Sequence, residues 1–300
     1  MVVEGEKLGK KLIILDLNGT LVYRKTKNRE SGNVAKASAQ PIHRPYLSNF
    51  LDSRRGEYEV LIWSSAQPRN VDSMVKSILS PHQRSKLLRV WARDTLIPQR
   101  DFNFKKPSIK DLEIVWSALN LSTLGETKQI GPWDQSNTLL LDDSLSKAAL
   151  QPFNHIVVPE FSLDRVKIVQ ELLAKMKATE ENDDEAEGDV VEGGREEGEK
   201  EAEPSDEGES EGEEGGKENE DDMERRMDDI LLQTIGLLET LKTQSDVSRF
   251  IRSGGLAKFG GKKGKSQRER KKREKTYGRP EYWARLGREA CERLGIECRP

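Results

Sequence analysis

Apolar and polar positions follow two different periods between Lys11 and about Met176. Four short runs are apolar enough to be central strands of a sheet: residues 12–15, 60–63, 138–141 and 155–158. Between these runs, apolar residues recur every three to four positions, which is the spacing of a helix with one buried face. The alternation of strands and helices predicts an α/β fold with a mostly parallel sheet and helices on both faces.

Three amphipathic helices carry the apolar stripes. The first begins at Pro68, a residue favoured in the first helical turn, and the third follows Ser162, a common N-cap residue. We expect three groups of core side chains: Val71, Met74, Val75, Ile78 and Leu79; Ile109, Leu112, Trp116 and Leu119; Val166, Val169, Leu172, Leu173 and Met176. The predicted domain covers residues 11–178 and follows an N-terminal extension of residues 1–10.

The second half of the chain has a different composition. Residues 179–222 carry 23 acidic side chains against 3 basic ones, although the net charge of the whole chain is only −3. This segment has too few apolar residues to offset the entropy of ordering, so we expect a disordered linker. Residues 223–257 regain an apolar stripe and predict an amphipathic helical segment that needs a partner surface. Residues 258–300 predict a basic C-terminal tail with a short helix.

The basic tail allows two interpretations. The segment from Lys258 to Arg288 has 13 Lys and Arg residues against 3 Glu. It is suited to contact with nucleic acid or to nuclear targeting, and equally to pairing with the acidic linker of the same chain. Because no apolar run approaches the roughly 20 residues of a membrane span, we expect a nuclear or cytoplasmic protein without a membrane span. The basic tail favours the nucleus over the mitochondrion.

The strongest candidate for chemistry directly follows the first predicted strand. Asp16, Leu17, Asn18, Gly19 and Thr20 lie where open α/β sheets form their ligand crevice. A carboxylate at this position can attack phosphorus and form an aspartyl-phosphate, which divides hydrolysis into two easier steps. Gly19 allows a sharp turn whose backbone amides can bind phosphate oxygens. A strand that simply ends in an Asx turn is the alternative.

Further polar residues lie at other predicted strand and helix ends. Ser64 and Ser65 end the second strand and offer hydroxyl groups to a phosphate. Lys110 is expected in the first turn of its helix, where the helix dipole disfavours a cation, so an anion nearby is favoured. Taken singly, these residues are typical of turns and solvated surfaces. As an ordered set they predict a phosphate site.

Two adjacent carboxylates, Asp142 and Asp143, end the Leu-rich strand. Opposite Asp16 they would repel each other unless a cation lay between them. Mg²⁺ is held in proteins by one or two carboxylates together with substrate phosphates, so the sequence predicts Mg²⁺ as the cofactor.

These motifs resemble the haloacid dehalogenase (HAD) superfamily and, within it, the FCP/SCP-type (NLI-interacting-factor-like) protein phosphatase domain. The resemblance covers about residues 11–161 and rests on LDLNGTL at 15–21, RPYLSNFL at 44–51, EVLIWSSA at 59–66, KDL at 110–112 and LLLDDS at 139–144. It implies that Asp16 is the nucleophile and a metal ligand, that Ser64 binds phosphate, and that Lys110 neutralises it. It also implies a metal site completed by Asp143, supported by Asp142, and by the backbone carbonyl of Asn18.

One residue departs from the family pattern. The family motif has a second aspartate, which protonates the leaving alcohol and activates water, and this chain has Asn18 there. An amide does neither, and losing a positioned general acid/base typically costs about 10²–10⁴-fold in rate. Two functions therefore stay open. One is a slow phosphatase acting on phosphoserine or phosphothreonine in proteins. The other is an inactive scaffold that binds phosphorylated or acidic partners, similar to the receptor subunit of the mitochondrial presequence translocase.

Overall fold

The computed structural model describes residues 9–25, 40–54, 56–98, 100, 108–122, 132–186, 223, 226–258 and 280–300. Its strands are β1 (Lys11–Leu15), β2 (Val22–Tyr23), β3 (Ile42–His43), β4 (Tyr58–Trp63), β5 (Arg89–Trp91), β6 (Thr138–Asp142) and β7 (His155–Val157). Its α-helices are α1 (Leu47–Ser53), α2 (Pro68–Ile78), α3 (Pro81–Arg84), α4 (Leu112–Ser122), α5 (Leu163–Ala186), α6 (Ile230–Lys242), α7 (Val247–Arg252), α8 (Gly255–Lys258) and α9 (Pro280–Arg293). None of these described helices is long and apolar enough to cross a bilayer.

Five parallel strands form the main sheet, in the order β5-β4-β1-β6-β7. The four predicted strands are β1, β4, β6 and β7, so the α/β fold with a mostly parallel sheet is confirmed. Strand β1 lies at the centre, and its residues Leu12 to Leu15 have no solvent exposure. A strand buried on both faces has to be apolar throughout, which explains the unbroken run of Leu and Ile.

Apolar side chains from the sheet and from α4 build one side of the core. The members of this cluster are Leu12, Ile14, Leu61, Trp63, Leu112, Val115, Trp116, Leu119, Trp133, Leu140 and Ala148. The apolar stripe predicted for α2 is buried along its whole length. Three predicted core residues are not fully buried. Ile109 is 46% exposed, because the helix begins only at Leu112 and Ile109 belongs to the preceding segment. Leu173 and Met176 are only partly buried.

The chain divides into two compact units, Met1–Val166 with Asp228–Pro300, and Lys167–Met227. In the second unit Val169 and Leu172 are buried as predicted, and Met223 and Met227 are buried too. Helix α5 continues to Ala186, past the predicted domain boundary at residue 178, so residues 179–186, which were predicted as the start of the disordered linker, are helical. The remainder of the predicted acidic linker, residues 187–222, lies outside the described residues, as do residues 259–279 of the predicted basic tail.

The C-terminal helices were predicted as a separate segment that needs a partner surface, and residues from Asp228 onward belong to the same unit as the sheet. The apolar side chains of α6 are buried nearly all round the helix, with α9 along one side and α1 on another. Tyr58, at the start of β4, donates a hydrogen bond from its hydroxyl to the backbone oxygen of Leu238 at 2.8 Å. The partner surface that this amphipathic segment needs is therefore the sheet unit together with α9.

Helices α6 and α9 cross at two glycines. A Cβ atom added to Gly287 would lie 2.1 Å from the backbone oxygen of Leu232, and one added to Gly236 would lie 2.2 Å from that of Trp283. The backbones therefore approach more closely than any other residue would allow.

Gly287→Ala should lower the free energy of unfolding by about 1–3 kcal/mol, the usual cost of overpacking. In an isolated helix the same substitution is stabilising by about 1 kcal/mol, so the sign is diagnostic. Denaturant unfolding of the full chain measures the change. Glu292→Ala, at an exposed site on the same helix, should stay within about 0.5 kcal/mol of the wild type. A Gly287→Ala protein as stable as the wild type would contradict the close crossing.

Candidate active site

Asp16, Lys110 and Asp142 meet at the carboxyl end of the parallel sheet. The Lys110 Nζ atom donates to Asp16 Oδ1 at 2.8 Å and to Asp142 Oδ2 at 2.6 Å. Lys110 has no solvent exposure, and Asp16 and Asp142 are 5% and 1% exposed. Adjacent strands β1 and β6 bring the two carboxylates to the same edge, and the lysine amine lies between them.

The charge of Lys110 is maintained by its two partners. Burial alone would lower the pKa of this amine, but the carboxylates of Asp16 and Asp142 outweigh burial and raise it. Lys110 is therefore a permanent cation beside Asp16. In the structure Lys110 is the cation between Asp16 and Asp142, in the place where a metal ion was expected.

The sequence predicted Lys110 in the first turn of a helix, and this prediction is wrong. Lys110 lies two residues before α4, and its backbone N–H donates to the oxygen of Lys147 at 2.8 Å. The start of the helix is instead capped by Asp111, whose Oδ1 accepts a hydrogen bond from the N–H of Glu113 at 3.1 Å. The unfavourable helix dipole therefore does not explain the neighbouring anions, but burial of the charge does.

The turn after Asp16 is tightly closed by backbone hydrogen bonds. The N–H groups of Thr20, Leu21 and Val22 all donate to the oxygen of Leu17, at 2.8–3.2 Å. Gly19 has a φ of +89°, and a Cβ atom there would lie 2.9 Å from Asp143 Oδ2. Glycine is required both by the left-handed backbone and by this close approach.

Gly19→Ala should destabilise the protein by about 1–2 kcal/mol, because alanine disfavours positive φ and its methyl group would collide with Asp143. It should also weaken Mg²⁺ binding, because Asp143 has to move. Titration calorimetry together with denaturant unfolding checks both effects. Unchanged affinity would show that the Asp143 carboxylate is not held where the metal binds.

The carboxylate of Asp143 lies against the turn that follows Asp16. Its Oδ1 accepts a hydrogen bond from the Thr20 hydroxyl at 3.4 Å. Burial, followed by the nearby charges of Asp16 and Asp142, raises the pKa of Asp143 to about 6. Because these effects disfavour the charged form of Asp143, a cation bound beside the carboxylate would stabilise it.

The oxygen atoms at this edge fit a magnesium ion. Within the described residues, no group of three or more His, Cys, Asp or Glu side chains is arranged to hold a metal. Mg²⁺ does not need such a group, since one or two carboxylates, water and substrate oxygens usually bind it. Asp16 and Asp143 are two such carboxylates, whereas Asp142 is occupied by Lys110.

Ser64 and Ser65 follow β4, the strand next to β1, and so lie at the same sheet edge. Ser64 is 2% exposed, and its hydroxyl oxygen accepts a hydrogen bond from the N–H of Ala66 at 3.4 Å. The backbone oxygen of Ser65 accepts from Arg93 Nη1 at 3.2 Å. Ser64, Ser65 and Asp16 are placed at one edge because they follow paired parallel strands.

Asn18 is exposed at the rim of the site, unlike its buried neighbours. Its side-chain oxygen, Oδ1, accepts a hydrogen bond from the backbone N–H of Arg24 at 2.8 Å. The side chain is thus held by a contact that a carboxylate oxygen can also make.

Two cations near the site were missed by sequence reasoning. Lys147 donates from Nζ to Ser108 Oγ at 2.6 Å. Burial, followed by the charge of Lys110, lowers the pKa of the Lys147 amine, although the nearby carboxylates act in the opposite direction. Arg93 contacts the loop after β4. Lys147 lies four residues after Asp143 in the segment that returns to Lys110, and only the fold reveals that proximity.

The parallel sheet, with Asp16 and Lys110 at its carboxyl edge, agrees with the phosphatase-type domain of the HAD-like superfamily that the sequence motifs resemble. The chain belongs to the NLI interacting factor-like phosphatase family, whose sequence model matches residues 11–186.

Several relatives share this region. An uncharacterised FCP1 homology domain-containing protein of Schizosaccharomyces pombe is 38% identical over 153 residues, which cover 51% of this chain and 62% of that protein. Ubiquitin-like domain-containing CTD phosphatase 1 of Homo sapiens is 22% identical over 154 residues, or 51% of this chain and 43% of that protein. The chain thus spans less than two thirds of these relatives. A solved structure of fission yeast Fcp1, an RNA polymerase II CTD phosphatase, bound to beryllium fluoride covers 51% of this chain and 42% of its own, with 17% identity and a TM-score of 0.35.

Proposed function

We propose that this chain is a Mg²⁺-dependent phosphoprotein phosphatase that acts on phosphoserine or phosphothreonine through an aspartyl-phosphate at Asp16. The observation that carries the proposal is the Lys110 ammonium, bound to Asp16 at 2.8 Å and to Asp142 at 2.6 Å without solvent exposure. A cation buried at this depth beside a carboxylate suits a site where further negative charge develops during reaction.

The chemistry of the chain's own residues follows from their positions. One Asp16 oxygen attacks phosphorus, the bond between phosphorus and the substrate oxygen breaks, and the released alkoxide takes a proton. Water then attacks the phosphorus of the aspartyl-phosphate, which releases inorganic phosphate and regenerates the carboxylate. Lys110 stabilises the negative charge in both steps, and the Ser64 hydroxyl binds a phosphoryl oxygen. The N–H groups of residues 19–22, which were predicted to bind phosphate, are instead bonded within the turn.

Asp16, Asp143 and the backbone oxygen of Asn18 would hold the magnesium ion. When bound, the ion supplies charge neutralisation and orients the phosphoryl group. Asp142 keeps Lys110 in place. This division of roles leaves each buried charge with an opposite partner, as burial requires.

The absence of a carboxylate at residue 18 makes the proposed enzyme slow. Asn18 holds the position of the general acid/base but does not transfer a proton, so water has to protonate the leaving alkoxide and to lose its own proton unaided. An enzyme that forms the aspartyl-phosphate and hydrolyses it slowly would also act as a phosphorylatable switch.

Relatives named as CTD phosphatases support a protein substrate, and we propose an extended phosphopeptide. We also propose a nuclear or cytoplasmic location. We also propose that the basic tail, most of which lies outside the described residues, contacts nucleic acid.

The second candidate function is a scaffold that binds a phosphorylated or acidic partner without turnover. Asn18 favours it, because the remaining groups suffice to bind phosphate but not to move protons.

One assay separates the two functions. Wild type, verified by mass spectrometry to carry Asn18, is incubated with a phosphoserine peptide, and phosphate release and peptide binding are measured. The phosphatase releases phosphate with Mg²⁺, stops when EDTA is added, and resumes when Mg²⁺ is restored. Binding of the peptide without release, under all these conditions, would establish the scaffold and refute the enzyme.

A further inference from the structure

Arg44 connects the turn of residues 17–22, which we call the catalytic turn, to a segment far along the chain. Its Nη1 donates to the backbone oxygen of Thr20 at 3.0 Å. Its Nε and Nη2 donate to the two carboxylate oxygens of Asp228, at 3.0 and 3.1 Å. The side chains of Arg44 and Asp228 are both completely buried.

Asp228 lies beyond the region that the family model matches, which ends at residue 186. We propose that Asp228 is a positioning residue for the catalytic turn, so that the C-terminal segment starting at Asp228 forms an integral part of the active site. The consequence for turnover rests on the proposed function, whereas the consequence for the turn itself does not.

The contacts of the turn show how the effect of Asp228 is transmitted. Arg44 binds the oxygen of Thr20, and the N–H of Phe161 binds the oxygen of Gly19 at 2.7 Å. The guanidinium of Arg44 also lies over the ring of Phe161, 5.4 Å from its centroid. Two consecutive carbonyl groups of the turn are therefore bound by the Arg44 side chain and the Phe161 backbone, and these two residues also contact each other. The Thr20 hydroxyl of the same turn donates to Asp143 Oδ1 at 3.4 Å, so the turn also contacts a proposed metal ligand.

Asp228 is the group that makes this arrangement stable. A buried guanidinium requires a carboxylate, and the parallel two-bond geometry fixes its plane as well as its position. The carboxylate also accepts a hydrogen bond from the N–H of Ile230 at 3.3 Å, at the start of α6. A second cation lies nearby, because Arg165 Nε is 3.7 Å from Asp228 Oδ2, but the Arg165 side chain is partly exposed. Without Asp228, Arg44 loses its orientation and the turn loses its donor.

The neighbouring residue provides a matched control. Asp229 is only partly buried, and its Oδ1 accepts a hydrogen bond from Nε2 of Gln233 in α6 at 2.6 Å. Asp229→Asn therefore makes the same chemical change one residue away and leaves Arg44 untouched.

Hydrogen exchange measured by mass spectrometry tests the proposal on the full chain. In Asp228→Asn, amides of residues 17–22 should exchange about tenfold faster relative to those of β4, as expected when a local structure opens more readily. Asp229→Asn should exchange like the wild type. Unchanged exchange of the turn in Asp228→Asn, or an equal change in β4, would overturn the proposal.

A double substitution separates positioning from mere stability. Arg44→Met with Asp228→Leu removes both buried charges, so thermal stability should recover relative to Asp228→Asn. The Thr20 oxygen still lacks its donor, so exchange of the turn stays fast and kcat for a phosphopeptide stays about 10–100-fold below wild type, with KM little changed.

The two possible failures are distinguishable. Recovery of normal exchange in the double variant would show that the ion pair is only structural. A wild type without phosphatase activity, combined with fast exchange in Asp228→Asn, would refute the proposed function and leave the role of Asp228 intact.

Discussion

Lys110→Met should reduce phosphopeptide turnover by about 10²–10³-fold, the usual effect of removing one group that stabilises charge in the transition state. It should also lower the free energy of unfolding by about 3–5 kcal/mol, because the buried carboxylates of Asp16 and Asp142 lose the cation between them. Denaturant unfolding and phosphate release, assayed at a temperature where circular dichroism shows the variant to be folded, measure both effects.

The control is the same substitution in an exposed ion pair of equal length. Lys76 binds Asp72 at 2.7 Å on the surface of α2, with both side chains about 60% exposed. Lys76→Met should cost no more than about 0.5 kcal/mol and leave turnover unchanged. If Lys110→Met loses stability but turns over substrate at the wild-type rate, Lys110 is a structural cation and the assignment of the site is wrong.

Asn18→Asp should raise turnover by about 10²-fold or more, the typical contribution of a positioned general acid/base. The structure favours a clean substitution, because the carboxylate has the same shape as the amide. One of its oxygens can accept the hydrogen bond that the Arg24 N–H now donates to Asn18 Oδ1 at 2.8 Å. The side chain is also exposed, so the new charge is not buried. Steady-state kinetics with a phosphoserine peptide measure the gain.

The control is Asn18→Ala, which removes the amide without supplying a carboxylate and should show no gain. The Asn18-Gly19 pair is prone to deamidation, so each preparation needs mass spectrometry of this peptide. A verified wild type that already matches the Asn18→Asp rate would show that another group transfers the proton. No hydrolysis by either protein would favour the scaffold function.

The central part of the fold could be predicted because burial requires a recognisable pattern. Strands β1 and β6 are covered on both faces, so they appear in the sequence as unbroken apolar runs. Strand β5 was missed because it lies at the edge of the sheet, where Arg89 and Val90 are exposed and the apolar signal disappears. The pair β2 and β3 has two residues per strand, too few for any period.

The candidate site was partly predictable for a related reason. Asp16 and Asp142 end apolar strands, and the carboxyl ends of adjacent parallel strands meet. Lys110 was placed in a helix because the apolar spacing extends back to Ile109, yet its backbone is held by Lys147 instead. The contact of Arg44 with Asp228 joins residues 184 positions apart, and local sequence patterns carry no information about such a pair.

Chemical trapping of the aspartyl-phosphate tests the central claim most directly. The wild-type chain is mixed with Mg²⁺ and a phosphoserine peptide and quenched during turnover, then treated with borohydride, which reduces an aspartyl-phosphate to homoserine. Peptide mass spectrometry should find homoserine at residue 16 only when the phosphopeptide is present, and none in Asp16→Asn. Release of phosphate without any modification at residue 16, or modification at a different residue, would contradict the account.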